Sequence, residues 1–393
     1  MACGVARFTW NWALDQLKKK LANGEKTTTN KLKLEWNRIK HEQFPWVLAS
    51  PKDANDRPFF NLSTAISRFF KGTAKFPTFK KKSEHDSFYV SSDRITVTGM
   101  TIRLPVIGWI RSAEALRFSG RIVAASVIRI ADRWFVSVKV DVGDYSRCRG
   151  DNEEVGIDLG ISTAVVLSSG KTFSAPRPLR RMTKKVKRLY KQLSKKVDGS
   201  SNRYKAKIKL ARQHARIKNI RSDWIHKITS RICRENQTIV LEDLNVKGMV
   251  SNHCLAKAIS DIGFREIRRQ IEYKANIYKN KVIIINRWLP SSKTCSNCGC
   301  KKDKMLLSDR VFNCGHCGAT LDRDLNAAKN ILAAGLAAIA CGSEGAGLAN
   351  NSKPKPCRYE AGTTQEGIPS VPSVESRSHQ CRFGLNLDIS NAT

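Results

Sequence analysis

Residues 153–160 read EEVGIDLG. From Val155 the run is apolar except for Asp158, and Gly160 supplies a turn, the pattern of a buried strand that carries one carboxylate to its end. A second folding unit is therefore read as starting at Glu154. After the turn, ISTAVVLSSG at 161–170 reads as another strand, and TIVLEDL at 238–244 and VIIIN at 282–286 as two more. Helical periodicity lies between them. Met182, Val186, Leu189, Leu193 and Val197 recur at steps of three and four, as do Ile217, Ile220, Trp224 and Ile228. The turn joining these two helices is Asp198-Gly-Ser-Ser-Asn202. An amphipathic helix is expected near Ile262–Tyr278, and Asp324 opens another, DLNAAKNILAAGLAAIA.

Upstream, residues 1–86 read as helical and spotted with aromatics from Phe8, Trp10 and Trp12 to Phe69 and Phe70. The stretch FFKGTAKFPTFKKK at 69–82 interleaves aromatics and lysines. It reads either as a loop anchored to the core by its rings or as a stacking and phosphate-contacting surface. Residues 87–153 comprise short β-branched runs, read as a small antiparallel barrel or sheet, and a linker. Residues 342–393 are rich in Gly, Ser, Pro and Asn with few large apolar side chains. That composition predicts a disordered tail.

The 393 residues carry 70 Lys or Arg against 34 Asp or Glu, a formal charge of +36. Such self-repulsion calls for a polyanionic partner, nucleic acid before membrane. No stretch approaches the roughly 20 apolar residues of a spanning helix. The N-terminus does not have the order of a signal peptide. An intracellular protein in a reducing compartment, the cytoplasm, is expected. The charge is concentrated in the helical hairpin 177–233, where Arg177 to Arg231 hold 20 basic and 2 acidic residues, a net of +18. Solvated helix faces ordinarily mix both signs, so a one-signed hairpin favours phosphate contact. Its candidate contacts are Lys184, Lys185, Lys187, Arg188, Arg203, Lys205, Arg212 and Arg216.

Five of the 12 cysteines fall within 295–317. Cys295-x-x-Cys298 and Cys314-x-x-Cys317 are two knuckles separated by fifteen residues, a spacing suited to one tetrahedral zinc ion. With all four positions filled by protein, that zinc would be structural. Cys300 and His316 are substitute ligands of a less symmetric site. Three acids stand at element ends: Asp158 and Glu242 close strands, and Asp324 begins a helix. Each has an ordinary reading alone, as turn residue, chance acid or helix cap. Together, in an RNase H-like sheet, they converge at one edge, where carboxylates hold two Mg2+ ions about 3.5–4 Å apart. The residues alone lead to a metal-dependent nuclease.

GIDLG at 156–160, LED at 241–243, RWLPSSKTCSNCG at 287–299 and DRDLNAAKNI at 322–331 resemble the TnpB (OrfB) family of insertion-sequence proteins, relatives of type V CRISPR effectors. The resemblance runs from about Cys3 to Leu336. It implies an α+β multidomain fold. A helical recognition part (1–86) and a β-barrel wedge with its linker (87–153) would precede a RuvC-like domain (154–294), a zinc-ribbon insertion (295–317) and the end of the RuvC-like domain (318–341). It also implies Asp158, Glu242 and Asp324 as the carboxylates, with Asp322 the alternative third, and a guide RNA from the transposon end that directs cutting of double-stranded DNA. Members carry a further strand and helix start ahead of the segment matching CGVARFTWNWAL. The expectation here is therefore a start placed too late or a wedge lacking its first strand. Two rival functions share most of these features: an RNA-guided or directly DNA-binding repressor that does not cut, and a transposase performing strand transfer.

Overall fold

The computed structural model describes residues 1–82, 86–91, 94–143, 152–306, 309–340 and 381–387, with residues 152–153 and 381–387 described as backbone alone. The chain divides into two units. One comprises Met1–Asp144, Lys196–Ala215 and Ser376–Thr393, and the other Tyr145–Lys195 and Arg216–Glu375.

In the first unit, α1 (Ala2–Ala22) forms on a stripe of Val5, Trp10, Ala13, Leu14 and Leu17, all buried at steps that keep one face inward. Thr28 caps α2 (Thr29–Gln43) by accepting from the Lys31 N–H at 3.3 Å. With α3 (Lys52–Phe70) these helices enclose an aromatic centre in which the Trp36 ring lies 5.0 Å from Trp12 and 5.4 Å from Phe44. Of the basic aromatic stretch, Phe76 packs edge-on against Phe69 at 5.2 Å, whereas Phe70 is 80% exposed.

Six strands follow: β1 (Ser87–Ser91), β2 (Thr96–Thr98), β3 (Thr101–Leu104), β4 (Gly108–Arg111), β5 (Arg121–Ile130) and β6 (Arg133–Asp141). They form two open antiparallel sheets, β2-β3-β4 and β1-β5-β6 with a further strand beyond β6. The barrel expected from the sequence is not closed among the described residues. The three- and four-residue strands β2–β4 pair only with one another, and closure requires every edge to be paired. Within the tail expected to be disordered, residues 381–387 form a strand antiparallel to β6 in register Cys381↔Val140 to Leu387↔Trp134. The open edge of β6 offers unpaired backbone groups, and CRFGLNL alternates Phe383, Leu385 and Leu387 with other residues, as a pairing segment does. The rest of the tail, and most of the linker expected before Glu154, lie outside the described residues.

The second unit is built on a five-stranded sheet. Its strands are β7 (Asn152–Asp158), β8 (Val165–Leu167), β9 (Thr172–Phe173), β10 (Asn236–Glu242) and β11 (Lys281–Ile285), in the order β11-β10-β7-β8-β9. β10 runs parallel to both β7 and β11, while β7, β8 and β9 pair antiparallel. Parallel neighbours need long crossovers. Helices α4 (Pro178–Ser194) and α5 (Ser201–Glu235) make the first, and α6 (Val246–Ser251), α7 (His253–Ile262) and α8 (Phe264–Tyr278) the second. The single helix expected at 262–278 begins at Phe264 because Gly263, at φ +84°, closes α7 in a left-handed conformation. Completing the chain order, β12 (Val311–Asn313) pairs antiparallel with β13 (Thr320–Asp322), α9 spans Arg323–Ala340, and the strand Cys381–Leu387 is β14.

Two glycines let α9 seat on the sheet. A Cβ on Gly156 of β7 would lie 2.2 Å from the Ala328 carbonyl, and one on Gly335 would lie 2.5 Å from the Val240 side chain of β10. The base of the α4–α5 hairpin is fixed by Asp261 of α7, which is 3% exposed. It accepts from the Leu179 and Arg180 N–H groups at 3.0 and 2.9 Å, capping α4 from outside, and pairs with Arg221 of α5 at 3.4 Å. Among the described residues, no helix is long and apolar enough to cross a membrane.

Candidate functional site

Asp158 is the last residue of β7 and Glu242 the last of the adjacent parallel strand β10, so the two carboxylates leave the same edge of the sheet. Asp324 lies in the first turn of α9, and its Oδ2 comes within 3.9 Å of where a Cβ on Gly160 would stand. Burial, then the facing carboxylates of Asp324 and Glu242, push Asp158 up to about 7. Burial likewise raises Glu242, opposed by a 2.6 Å hydrogen bond that the Ser291 hydroxyl donates to its Oε1. The three acids expected from the sequence are thus brought together. Asp158 feels the charge of both other acids, and carboxylates near one another supply the oxygen-donor chemistry that a hard divalent cation such as Mg2+ takes.

Neighbouring charges sort these acids from those beside them. Asp243 is engaged by Arg268 at 2.6 Å and by Arg287, which hold it well below the usual carboxylate range. It is therefore ion-paired where Glu242 is not. Asp322 accepts from the backbone N–H groups of Asp324 and Leu325 and so caps α9. Arg323 Nε stands 3.5 Å from Asp324 Oδ1. The loop after Asp158 is held by Arg177, whose guanidinium donates to the carbonyls of Ile161 and Ser162.

The four cysteines also converge. Their ligand atoms all lie within 4.8 Å of one another, with Cys295 Sγ 3.7 Å from Cys317 Sγ and Cys298 Sγ 3.6 Å from Cys314 Sγ. Sulfurs about 2.3 Å from a tetrahedral zinc stand about 3.8 Å apart, so this set fits Zn2+. Each knuckle ends in a left-handed glycine, Gly299 at φ +75° and Gly318 at φ +70°. Each closes with a bond from that glycine's N–H to the first cysteine's carbonyl, at 2.9 and 3.1 Å. Cys298, Cys300 and His316 form a second possible ligand group that shares Cys298.

On the hairpin, Lys184, Lys185, Lys187 and Arg188 are exposed on α4, and Lys205 and Arg216 are exposed on α5. Arg203 is half-buried, paired with Asp198 at 2.6 Å and donating to the Lys196 carbonyl at 2.9 Å. Arg212 is exposed but forms a two-pronged pair with Asp132, its Nε 2.8 Å from Oδ1. These two arginines already have partners within the chain.

Ser291, Asn326 and Asn330 were not singled out from the sequence. Ser291 lies in the quoted stretch RWLPSSKTCSNCG and the two asparagines in DLNAAKNI, yet nothing local distinguishes a polar residue that bonds another segment from one that faces water.

Known proteins extend this picture. Residues 137–253 match a family model described as "Probable transposase" of the OrfB, IS605 type, and residues 264–331 match the Cas12f1-like TNB domain. A Streptomyces pristinaespiralis protein named "Putative RNA-guided DNA endonuclease" is 41% identical over 294 residues, covering 72% of this chain and 71% of that protein. The Escherichia coli K12 protein InsQ, named in the same words, is 31% identical over 359 residues, covering 86% and 89%. The fold is similar to that of Cas12f1 in a complex with single-guide RNA and target DNA, at TM-score 0.55 and 15% identity over 84% of this chain and 81% of that one. The relatives match across both units rather than at one motif, and the chain belongs to the TnpB (OrfB) family of insertion-sequence proteins.

Proposed function

We propose that this chain is an RNA-guided, metal-dependent DNA endonuclease. In this reading residues 154–294 and 318–341 form a RuvC-type, RNase H-like domain interrupted by the zinc-binding insertion 295–317, and residues 1–86 and 87–153 serve recognition. The observation that carries it is that Asp158, at a strand end, feels the charge of Glu242 at the end of the neighbouring parallel strand and of Asp324 at a helix start. The names of the relatives, RNA-guided DNA endonucleases, support the same substrate and guide.

Asp158, Glu242 and Asp324 would hold Mg2+, which when bound stabilises charge on the phosphate and lowers the pKa of an attacking water. The chain's own residues set the frame for that chemistry. Ser291 fixes one oxygen of Glu242 by donating its hydroxyl to Oε1. Arg268 and Arg287 keep Asp243 engaged away from Glu242's role. Asp322 holds the first turn of α9 so that Asp324 is presented at its start. The exposed lysines of α4 offer a sequence-independent grip on nucleic-acid backbone, as expected where base pairing with a guide supplies specificity.

The test is to copurify the protein from cells carrying its flanking DNA, sequence the bound RNA, and challenge the complex with Mg2+ on a randomised plasmid library beside Asp158→Ala. A discrete RNA with cutting lost in Asp158→Ala is the expected result. Bound RNA with no cutting by the unaltered protein would instead identify a guided repressor.

A further inference from the structure

Two asparagines one turn apart on α9 connect the cysteine cluster to the carboxylates. Asn326, fully buried, accepts from the Ser296 N–H at 2.9 Å and donates to the Thr294 carbonyl at 2.7 Å. Ser296 is the residue after the first zinc cysteine. Asn330 donates to the carbonyls of Ser291 and Thr294 at 2.7 and 2.6 Å. The same Ser291 donates to Glu242 at 2.6 Å, and α9 itself presents Asp324. Between Ser291 and Cys295 the backbone is closed into a tight coil by bonds from the Lys293 and Thr294 N–H groups to the Pro290 carbonyl, at 3.0 and 3.1 Å. A rigid path of hydrogen bonds therefore runs from Cys295 to Glu242 on one side and to the helix of Asp324 on the other.

We propose that Asn326, Asn330 and Ser291 are positioning residues that make the separation of Glu242 and Asp324 depend on metal occupancy of the four-cysteine knuckle. This inference rests on the reading of Asp158, Glu242 and Asp324 as a divalent-cation site. The physical case is one of positional coupling through these hydrogen bonds. Without metal, the four thiols have no ligand to hold the two knuckles together, and the 291–296 coil is free to leave the two amides that clamp it. Glu242 then loses the hydroxyl that orients it, and partners of this kind are worth about 10- to 100-fold in metal affinity.

The experiment uses the full chain and Mn2+ as a spectroscopically visible probe of the carboxylate site. Zinc content is measured in parallel, and Asp158→Ala defines site-specific binding. Ser291→Ala removes one hydroxyl, Asn330→Asp keeps the volume but removes both donated bonds, and Cys298→Ser removes one exposed thiolate. Each is expected to weaken Asp158-dependent Mn2+ binding about 10- to 100-fold, with Asn330→Asp still retaining zinc. Cys298→His, which returns a zinc ligand, should restore Mn2+ binding towards that of the unaltered protein. If Asn330→Asp does not fold, Ser291→Ala and the Cys298 pair decide. Unchanged Mn2+ affinity in zinc-deficient Cys298→Ser overturns the coupling while the nuclease reading stands. Absence of any Asp158-dependent Mn2+ binding in the unaltered protein overturns both.

Discussion

The side chain of Asp322 accepts the backbone N–H of Asp324 at 2.9 Å, so the first of these two acids is tied up in starting the helix that displays the second. Their roles separate in an experiment. Asp324→Asn should abolish cutting and leave thermal stability near that of the unaltered protein. Asp322→Ala should cost about 1 kcal/mol through loss of the cap and leave measurable cutting. Plasmid cleavage and urea unfolding of the two variants check this, and the reverse assignment would show Asp322 retaining stability but losing all activity.

Gly156 sets how closely α9 approaches β7, and hence where Asp324 stands relative to Asp158 two residues further along the strand. A methyl group there would meet the Ala328 carbonyl at 2.2 Å and the Leu332 N at 2.6 Å. Both are backbone atoms, so relief requires moving the helix. Gly156→Ala is expected to destabilise the protein by roughly 2–4 kcal/mol. Cutting should fall about 100-fold in what remains folded, as a displacement of about 1 Å suffices for that. Thermal unfolding and single-turnover cleavage measure the two effects.

These glycines show what the sequence reveals and what it hides. GIDLG announces a strand, a carboxylate and a turn because apolar period and glycine chemistry act locally. The two Cys-x-x-Cys pairs announce a metal site for the same reason. The contact made by Gly156 is with α9, more than 170 residues away in the chain, and no local pattern encodes it. Ser291 and Asn330 were invisible on the same grounds. The barrel was over-read because alternation predicts strands but not whether the sheet's last edge finds its first. The pairing of Cys381–Leu387 with β6 is likewise a long-range contact that its glycine- and serine-rich surroundings do not announce.

The hairpin candidates are predicted to differ among themselves. Lys184, Lys185, Lys187 and Arg188 are exposed on α4, whereas Arg212 is engaged by Asp132. Each phosphate contact contributes about 0.9 to the slope of log affinity against log salt on duplex DNA, and about 0.7 on single strands. Replacing the four α4 residues with Ser should lower the slope for the bound nucleic acid by about 3. Arg212→Ala should leave the slope nearly unchanged and act on stability instead. Filter binding at several salt concentrations distinguishes the two. An equal effect of Arg212→Ala and of single α4 changes on the slope would place Arg212 in the phosphate contact as well.

Lys274 of α8 is 5% exposed and donates to the His226 carbonyl, Thr229 Oγ1 and Ser230 Oγ at 2.7–2.8 Å, which pins α8 to α5 beneath the sheet. The three acceptors favour the charged ammonium, yet burial prevails and pushes Lys274 down to about 8 from the ordinary 10.5. Between those two values the unfolded chain binds the proton more tightly than the folded one, so stability gains with rising pH over that window. Below about pH 8 both states are protonated and the cost of burying the charge is constant. Lys274→Met abolishes this dependence, so the pH-dependent difference between the two proteins isolates the group from other titrating side chains. The unaltered protein should improve relative to Lys274→Met by about 1–2 kcal/mol on going from about pH 7.5 to 9.5, as measured by urea unfolding under reducing conditions. A flat difference across that range would mean that the three acceptors, rather than burial, set the protonation of this lysine.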